Sequence, residues 1–157
     1  MHRRGAGFTL IELVVTLAIL GVLAAIAAPL AETVVRRGKE QELKAALMGI
    51  RDAIDAYKEA GDSGRISKPA GDAGYPASLD VLVNGVADRA GASGTKLYFL
   101  RRIPRDPFAD PSLPAAQTWA LRSSDSPPEA PKEGKDVFDV RSLSEGQALD
   151  GTRYREW

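Results

Sequence analysis

The chain has 157 residues, with 21 basic and 21 acidic side chains and a formal net charge of zero. That balance excludes the basic excess of a general nucleic-acid binder, and the length suits one compact domain plus a long helix. With no cysteine, neither a disulfide nor a thiolate metal site is available, and the one histidine is His2.

Residues 8–31 form an apolar run of 24 in which only Thr9, Glu12 and Thr16 are polar and only Glu12 ionises. At about 1.5 Å per residue, a helix of this length crosses a hydrocarbon core of roughly 30 Å. Arg3 and Arg4 precede the run, and positive charge ahead of a first apolar helix keeps that end in the cytoplasm. Glu12 is the anomaly, because a carboxylate in such a helix costs on the order of 2.5–3.5 kcal/mol and calls for a partner. No Lys, Arg or His lies between Phe8 and Glu32. One partner is the α-amino group created by a cut before Phe8, one helical turn away, on the same chain or on a neighbouring copy. A second reading is an ordinary membrane anchor whose Glu12 snorkels to the interface. A third is a secretory signal peptide cut at Ala25-Ile26-Ala27. The run is longer than the about 7–15 residues of such a peptide, and it contains Glu12.

Gly7-Phe8-Thr9-Leu10-Ile11-Glu12-Leu13, after a short basic leader and before an unbroken apolar run, resembles the processing site of type IV pilins and of the pseudopilins of type II secretion. The resemblance implies that a membrane-embedded aspartyl prepilin peptidase cuts between Gly7 and Phe8. It implies too that Phe8 becomes N-methylphenylalanine, and that Glu12 meets the free amine of a neighbouring subunit as a filament grows. Loss of residues 1–7 removes Arg3 and Arg4 and leaves a net charge of −2. Pro29 also fits the family, which often has a proline near the end of the first apolar block. A proline lacks an amide hydrogen and clashes with the preceding turn, so a kink or local melting is expected over residues 25–29.

From Glu32 the pattern becomes amphipathic. Leu43, Leu47, Ile50, Ile54 and Tyr57 are spaced 4, 3, 4, 3, one face of a helix that packs on a domain. A single helix is expected over residues 8–60, stopped by Gly61-Asp62-Ser63-Gly64. Residues 61–77 read as a loop. Residues 76–83 read as a short helix with Ser78 as its N-cap and Asn84-Gly85 as its stop. Residues 86–95 read as loop again, followed by the apolar Leu97-Tyr98-Phe99-Leu100.

Arg101-Arg102-Ile103-Pro104-Arg105-Asp106-Pro107-Phe108 has two prolines that exclude a central strand. It resembles the Arg-x-x-Pro-x-Asp-Pro stretch of type II pseudopilins and reads as a solvated turn pinning the loop to the domain, with Arg102, Pro104 or Arg105 as a binding patch in the competing reading. Residues 117–123 and 136–142 alternate as strands, joined by a polar loop, and with residues 97–100 they are expected to make a small antiparallel sheet of two or three strands. Asp136 and Asp139 read as solvent-facing carboxylates. Tyr154 and Trp157 are expected to fold back onto the head.

Together these elements predict an α+β protein: a leader (1–7), a transmembrane or filament-core helix (8–31), an amphipathic helix (32–60) and a globular head (61–157). Major pseudopilins, which this chain resembles, hold calcium in a loop after the last strand. Here residues 142–151 offer only Glu145 and Asp150 as carboxylates, where calcium takes about 6–8 oxygens, so the stretch reads either as a calcium site completed by main-chain and water oxygens or as a plain surface loop closed by Asp150-Gly151. No serine has a histidine to activate it once His2 is lost, and no phosphate-binding loop is present, so an enzyme is not expected. The resemblance implies a structural subunit of a helical pseudopilus, anchored by a single pass in inner-membrane lipid with a periplasmic head. Its partners would be copies of itself, other pseudopilins, the prepilin peptidase, an assembly ATPase and its platform protein. A type IV pilin for adhesion, motility or DNA uptake, and a monomeric membrane-anchored or secreted binding domain, are the alternatives.

Overall fold

The long helix follows directly from the pattern. In the computed structural model, which describes residues 8–69 and 71–157, α1 runs Leu10–Asp62 without a break, 53 residues with Pro29 inside. The expected local melting over residues 25–29 is absent, because these residues stay α-helical. A proline removes a single amide donor, and the alanines around it are good helix formers that keep the neighbouring bonds. The Thr33 hydroxyl donates to the Pro29 carbonyl (2.9 Å) one turn below.

The chain divides into two units, residues 1–38 and 39–157. In the first, the described side chains from Phe8 to Leu30 are exposed, among them Leu10, Ile11, Leu17, Leu20 and Ile26. In the second, the predicted face of α1 forms the core: Leu43, Leu47, Ile50 and Ile54 are at most 2% exposed. Each contributes about 1.5–3 kcal/mol relative to exposure. Trp119, Val137, Val140, Leu79, Leu82 and Tyr154 complete the same cluster, and Tyr57 at the end of the face meets Phe99 edge-on at 5.4 Å.

The short helix α2 spans Leu79–Asn84, with Leu79 and Leu82 buried. Ser78 holds the N-cap position but its side chain makes no capping bond; its carbonyl instead accepts from the Val81 amide (3.3 Å). Gly85 ends the helix at φ +73°, and a Cβ there would stand 2.8 Å from the Tyr98 ring, so the position takes only glycine.

The sheet departs from expectation. Residues 86–95 are not all loop: β1 (Val86–Ala87) pairs antiparallel with β2 (Lys96–Leu97), Val86 opposite Leu97. The apolar 97–100 run does not join the C-terminal strands, because the Phe99 and Leu100 amides both donate to the Leu82 carbonyl at 3.0 Å and leave nothing for a ladder. The second sheet pairs β3 (Trp119–Arg122) with β4 (Asp139–Ser142). Both are shorter than predicted. Gln117 and Thr118 belong to the 3-10 turn Ala115–Thr118, and the Val137 amide is drawn off to the Pro76 carbonyl (2.8 Å). As the alternation requires, Val140 and Ser142 point inward.

Asp136 corrects the reading of a solvent-facing carboxylate, being only 3% exposed. Its Oδ1 accepts from the Ser123 hydroxyl (2.7 Å) and the Ser124 amide (2.8 Å), and its Oδ2 from the Ser124 hydroxyl (2.6 Å). Burial works to raise its pKa, but the Ser124 and Ser123 bonds outweigh burial and hold the carboxyl below its ordinary value. A lowered folded pKa gives stability that is present above the unfolded value of about 3.9 and is lost as pH falls through the folded one. Asp136→Asn is therefore expected to cost about 2 kcal/mol at neutral pH. Urea unfolding at a series of pH values should show that difference shrinking below about pH 4. Asp139, half-buried, is bound by Arg51 Nε at 2.8 Å, and the same guanidinium donates to the carbonyls of Val140 (3.0 Å) and Trp157 (2.8 Å).

Candidate functional site

The first turn of α1 carries the chemistry that sequence alone singles out. Gly7 lies outside the described residues; Phe8 is 78% exposed just ahead of the helix. Thr9 is the residue before the first helical position. Its hydroxyl accepts from the Glu12 amide (3.3 Å), while Glu12 Oε2 accepts from the Thr9 amide (3.4 Å) and hydroxyl (3.3 Å). This is a capping box, reciprocal bonds that satisfy amide donors left over at a helix start. Thr9 is legible in the sequence as Thr-x-x-Glu ahead of an apolar run, the signature of this motif, and escapes notice only when a cation alone is sought for Glu12. The bonds are long and their donors neutral, so they orient the carboxylate and do not cancel its charge.

The remaining polar group of the run is accommodated differently. Thr16 donates its hydroxyl to the carbonyls of Glu12 (2.9 Å) and Leu13 (2.8 Å) inside the helix. In an apolar surrounding every hydroxyl needs such a partner. The surface of this span is thus apolar apart from one carboxylate, near its N-terminal end. By length and composition it is able to cross a membrane.

The Arg-x-x-Pro-x-Asp-Pro stretch is built as a pinned turn, though not a solvated one. Asp106 is fully buried; its Oδ1 accepts from the Phe108 amide (2.7 Å) and its Oδ2 from the Ser142 hydroxyl of β4 (2.5 Å). Trp119 Nε1 donates to the Pro104 carbonyl (2.9 Å), and Arg105 to the carbonyls of Leu113 (2.5 Å) and Asp110. Arg102 is exposed.

The C-terminal aromatics fold back as expected. Tyr154 is buried, stacked on Phe108 at 4.2 Å, with Trp157 edge-on at 5.2 Å. The carboxylates put forward for calcium have other partners. Glu145 pairs with Arg155 (3.1 Å), and Asp150 Oδ1 accepts from both the amide (2.9 Å) and hydroxyl (2.6 Å) of Thr152. Hydrogen bonds from the Thr152 hydroxyl and amide lower the pKa of Asp150. Among the described residues no group of three or more His, Cys, Asp or Glu is placed to hold a metal. One carboxylate bound to a guanidinium and one closed on a threonine do not fit a calcium ion.

Residues 2–28 match the family described as the prokaryotic N-terminal methylation motif. Over 116 residues the chain is 31% identical to the type II secretion system core protein G of Aeromonas hydrophila, covering 69% of this chain and 71% of that protein. The chain belongs to the type II secretion pseudopilins. No solved structure matches it. For a pseudopilin the exposed apolar run of α1 is an inner-membrane anchor, and Glu12 stands where the methylation motif is matched.

Proposed function

We propose that this pseudopilin is a structural, non-enzymatic subunit of a helical filament that drives export of folded proteins. In this reading the prepilin peptidase cuts between Gly7 and Phe8 and methylates Phe8. The processed subunit waits in the inner membrane with its N-terminus cytoplasmic and its head periplasmic. It then moves its apolar helix from lipid into a filament core made of copies of itself, with other pseudopilins. Lipid and core are similarly apolar, so the transfer is nearly balanced, and an assembly ATPase acting through its platform protein supplies the drive. Pro29 is the point where the helix bends to fit its neighbours. A head-to-tail contact that does not close gives a helix.

The observation that carries the proposal is the Glu12 carboxylate, the one ionisable group of an exposed apolar run, whose donors among the described residues are the neutral groups of Thr9. A buried charge without a counter-charge is heavily penalised. The α-amino group of a processed Phe8 on the neighbouring copy removes that penalty and sets the axial register.

Intact mass of the protein purified from its native membrane, with N-terminal fragmentation, tests the first step. The expected product starts at Phe8 and carries one added methyl. A product starting near Ala28 would mean a secreted soluble domain and would remove the anchor, the Glu12 pairing and the filament together. A chain still starting at Met1 in the presence of the peptidase would leave a plain membrane anchor.

A further inference from the structure

The loop after β4 is closed by the protein itself. Glu40 of α1 is half-buried, and its Oε1 accepts from the Leu149 amide and from the Tyr154 hydroxyl, each at 2.9 Å. These donors lie on the two limbs of a turn. Between them the Ala148 amide donates to the Thr152 carbonyl (2.7 Å), the Gly151 amide to the Ala148 carbonyl (3.0 Å), and Gln147 bridges Arg153. The Tyr154 amide donates to the Gly146 carbonyl (3.1 Å). On the outer side, Lys44 of α1 sits 4.2 Å from the centre of the Trp157 ring, and Arg51 of α1 holds the Trp157 carbonyl. One helix therefore grips this segment at three points along one length, through Glu40, Lys44 one turn on and Arg51 about two turns further.

Calcium would do two things in such a loop: draw distant oxygens to one centre and offset the repulsion among them. Here there is little repulsion to offset, since Glu145 is paired with Arg155, and Lys44 adds positive potential at Asp150. The gathering is done from the opposite polarity, with one helix-borne carboxylate collecting two donors of the loop.

We propose that Glu40 takes the place of a metal in this pseudopilin, so that residues 143–157 fold on α1 without calcium, in a register set by the Glu40–Tyr154 and Glu40–Leu149 bonds. The proposal concerns the folding of the head and stands whether or not the chain polymerises.

The test uses the full processed chain in detergent micelles, with amide hydrogen exchange across residues 145–157 and tryptophan fluorescence during thermal unfolding. Both are run with excess calcium chloride and with excess chelator. The unaltered protein is expected to give the same protection at Leu149, within about twofold, and the same unfolding midpoint in both solutions. Glu40→Ala should raise exchange at Leu149 by about tenfold or more in either solution. Glu40→Gln, which keeps an acceptor oxygen in place, should restore most of the protection. Tyr154→Phe removes one of the two bonds without opening a cavity, and should raise exchange less than Glu40→Ala. It keeps the test valid should Glu40→Ala fail to fold. Calcium that raises protection or the midpoint of the unaltered protein, or Glu40→Ala and Tyr154→Phe that leave Leu149 as protected as before, would overturn the proposal.

Discussion

Glu12→Ala is expected to abolish filament assembly while leaving membrane insertion and processing intact. Removing a carboxylate from an apolar helix favours insertion by about 2.5–3.5 kcal/mol, so the variant reaches the membrane at least as well as the original. In the proposed filament the loss falls on the contact between subunits. A charge pair worth about 3 kcal/mol in an apolar interface changes each docking constant on the order of a hundredfold, and a filament repeats that contact at every subunit. The capping box makes a sharper experiment available. Glu12→Gln keeps an oxygen able to accept from Thr9 but carries no charge, so it should fail as Glu12→Ala does. Thr9→Ala removes the box and leaves the charge, so it should assemble with a looser first turn. Pelleted filaments, with processed monomer quantified by mass, report each variant. A Glu12→Gln protein that polymerises normally would show the residue to be a helix cap and nothing more.

Asp106→Ala is expected to be among the most damaging single changes in the head. Asp106 is fully buried, and its two oxygens accept from the Phe108 amide and the Ser142 hydroxyl. The Asp106 amide donates to the Thr118 hydroxyl (3.2 Å). One residue thus ties the Pro104–Phe108 turn to the residue before β3 and to the last residue of β4. Truncation leaves the buried Ser142 hydroxyl and the half-buried Phe108 amide without acceptors, for a loss of about 3–5 kcal/mol and a fall in midpoint of about 10–20 °C. Asp106→Asn, which keeps one acceptor oxygen, should lose about half as much. Thermal unfolding followed by fluorescence of Trp119 checks both, since its indole donates to Pro104 in the same turn. A midpoint unchanged in Asp106→Ala would mean that the turn is held by Arg105 and Trp119 alone.

Leu43, Leu47, Ile50 and Ile54 announce the core face of α1 because helical period is a property of neighbours in sequence, and all four are buried. The helix start is written just as locally, in Thr9 and Glu12, and is missed only because a charge is sought where hydroxyl and amide donors serve. The β1–β2 pair is not legible, since two-residue strands have no period to detect. The 97–100 run misleads for the opposite reason: it has the composition of a strand, yet its amides are spent on the Leu82 carbonyl. Asp136 and Asp106 look like surface carboxylates in a polar loop and a proline turn, and nothing nearby in sequence shows the serine and threonine groups that bury them.

By itself, then, the sequence determines an apolar helix long enough to cross a membrane, the methylation motif, the lone charge within it and the face that α1 turns to the head. Length, composition and spacing act over a few residues, and they suffice to specify an apolar span and the period of a helix face. Only the tertiary structure decides which carboxylates are buried and how the C-terminal loop is closed. Asp106 finds Ser142 across 36 residues, and Glu40 finds Leu149 and Tyr154 across 109 and 114. Such partners are chosen by packing, because a buried polar group must be satisfied by whatever donor the fold brings within reach.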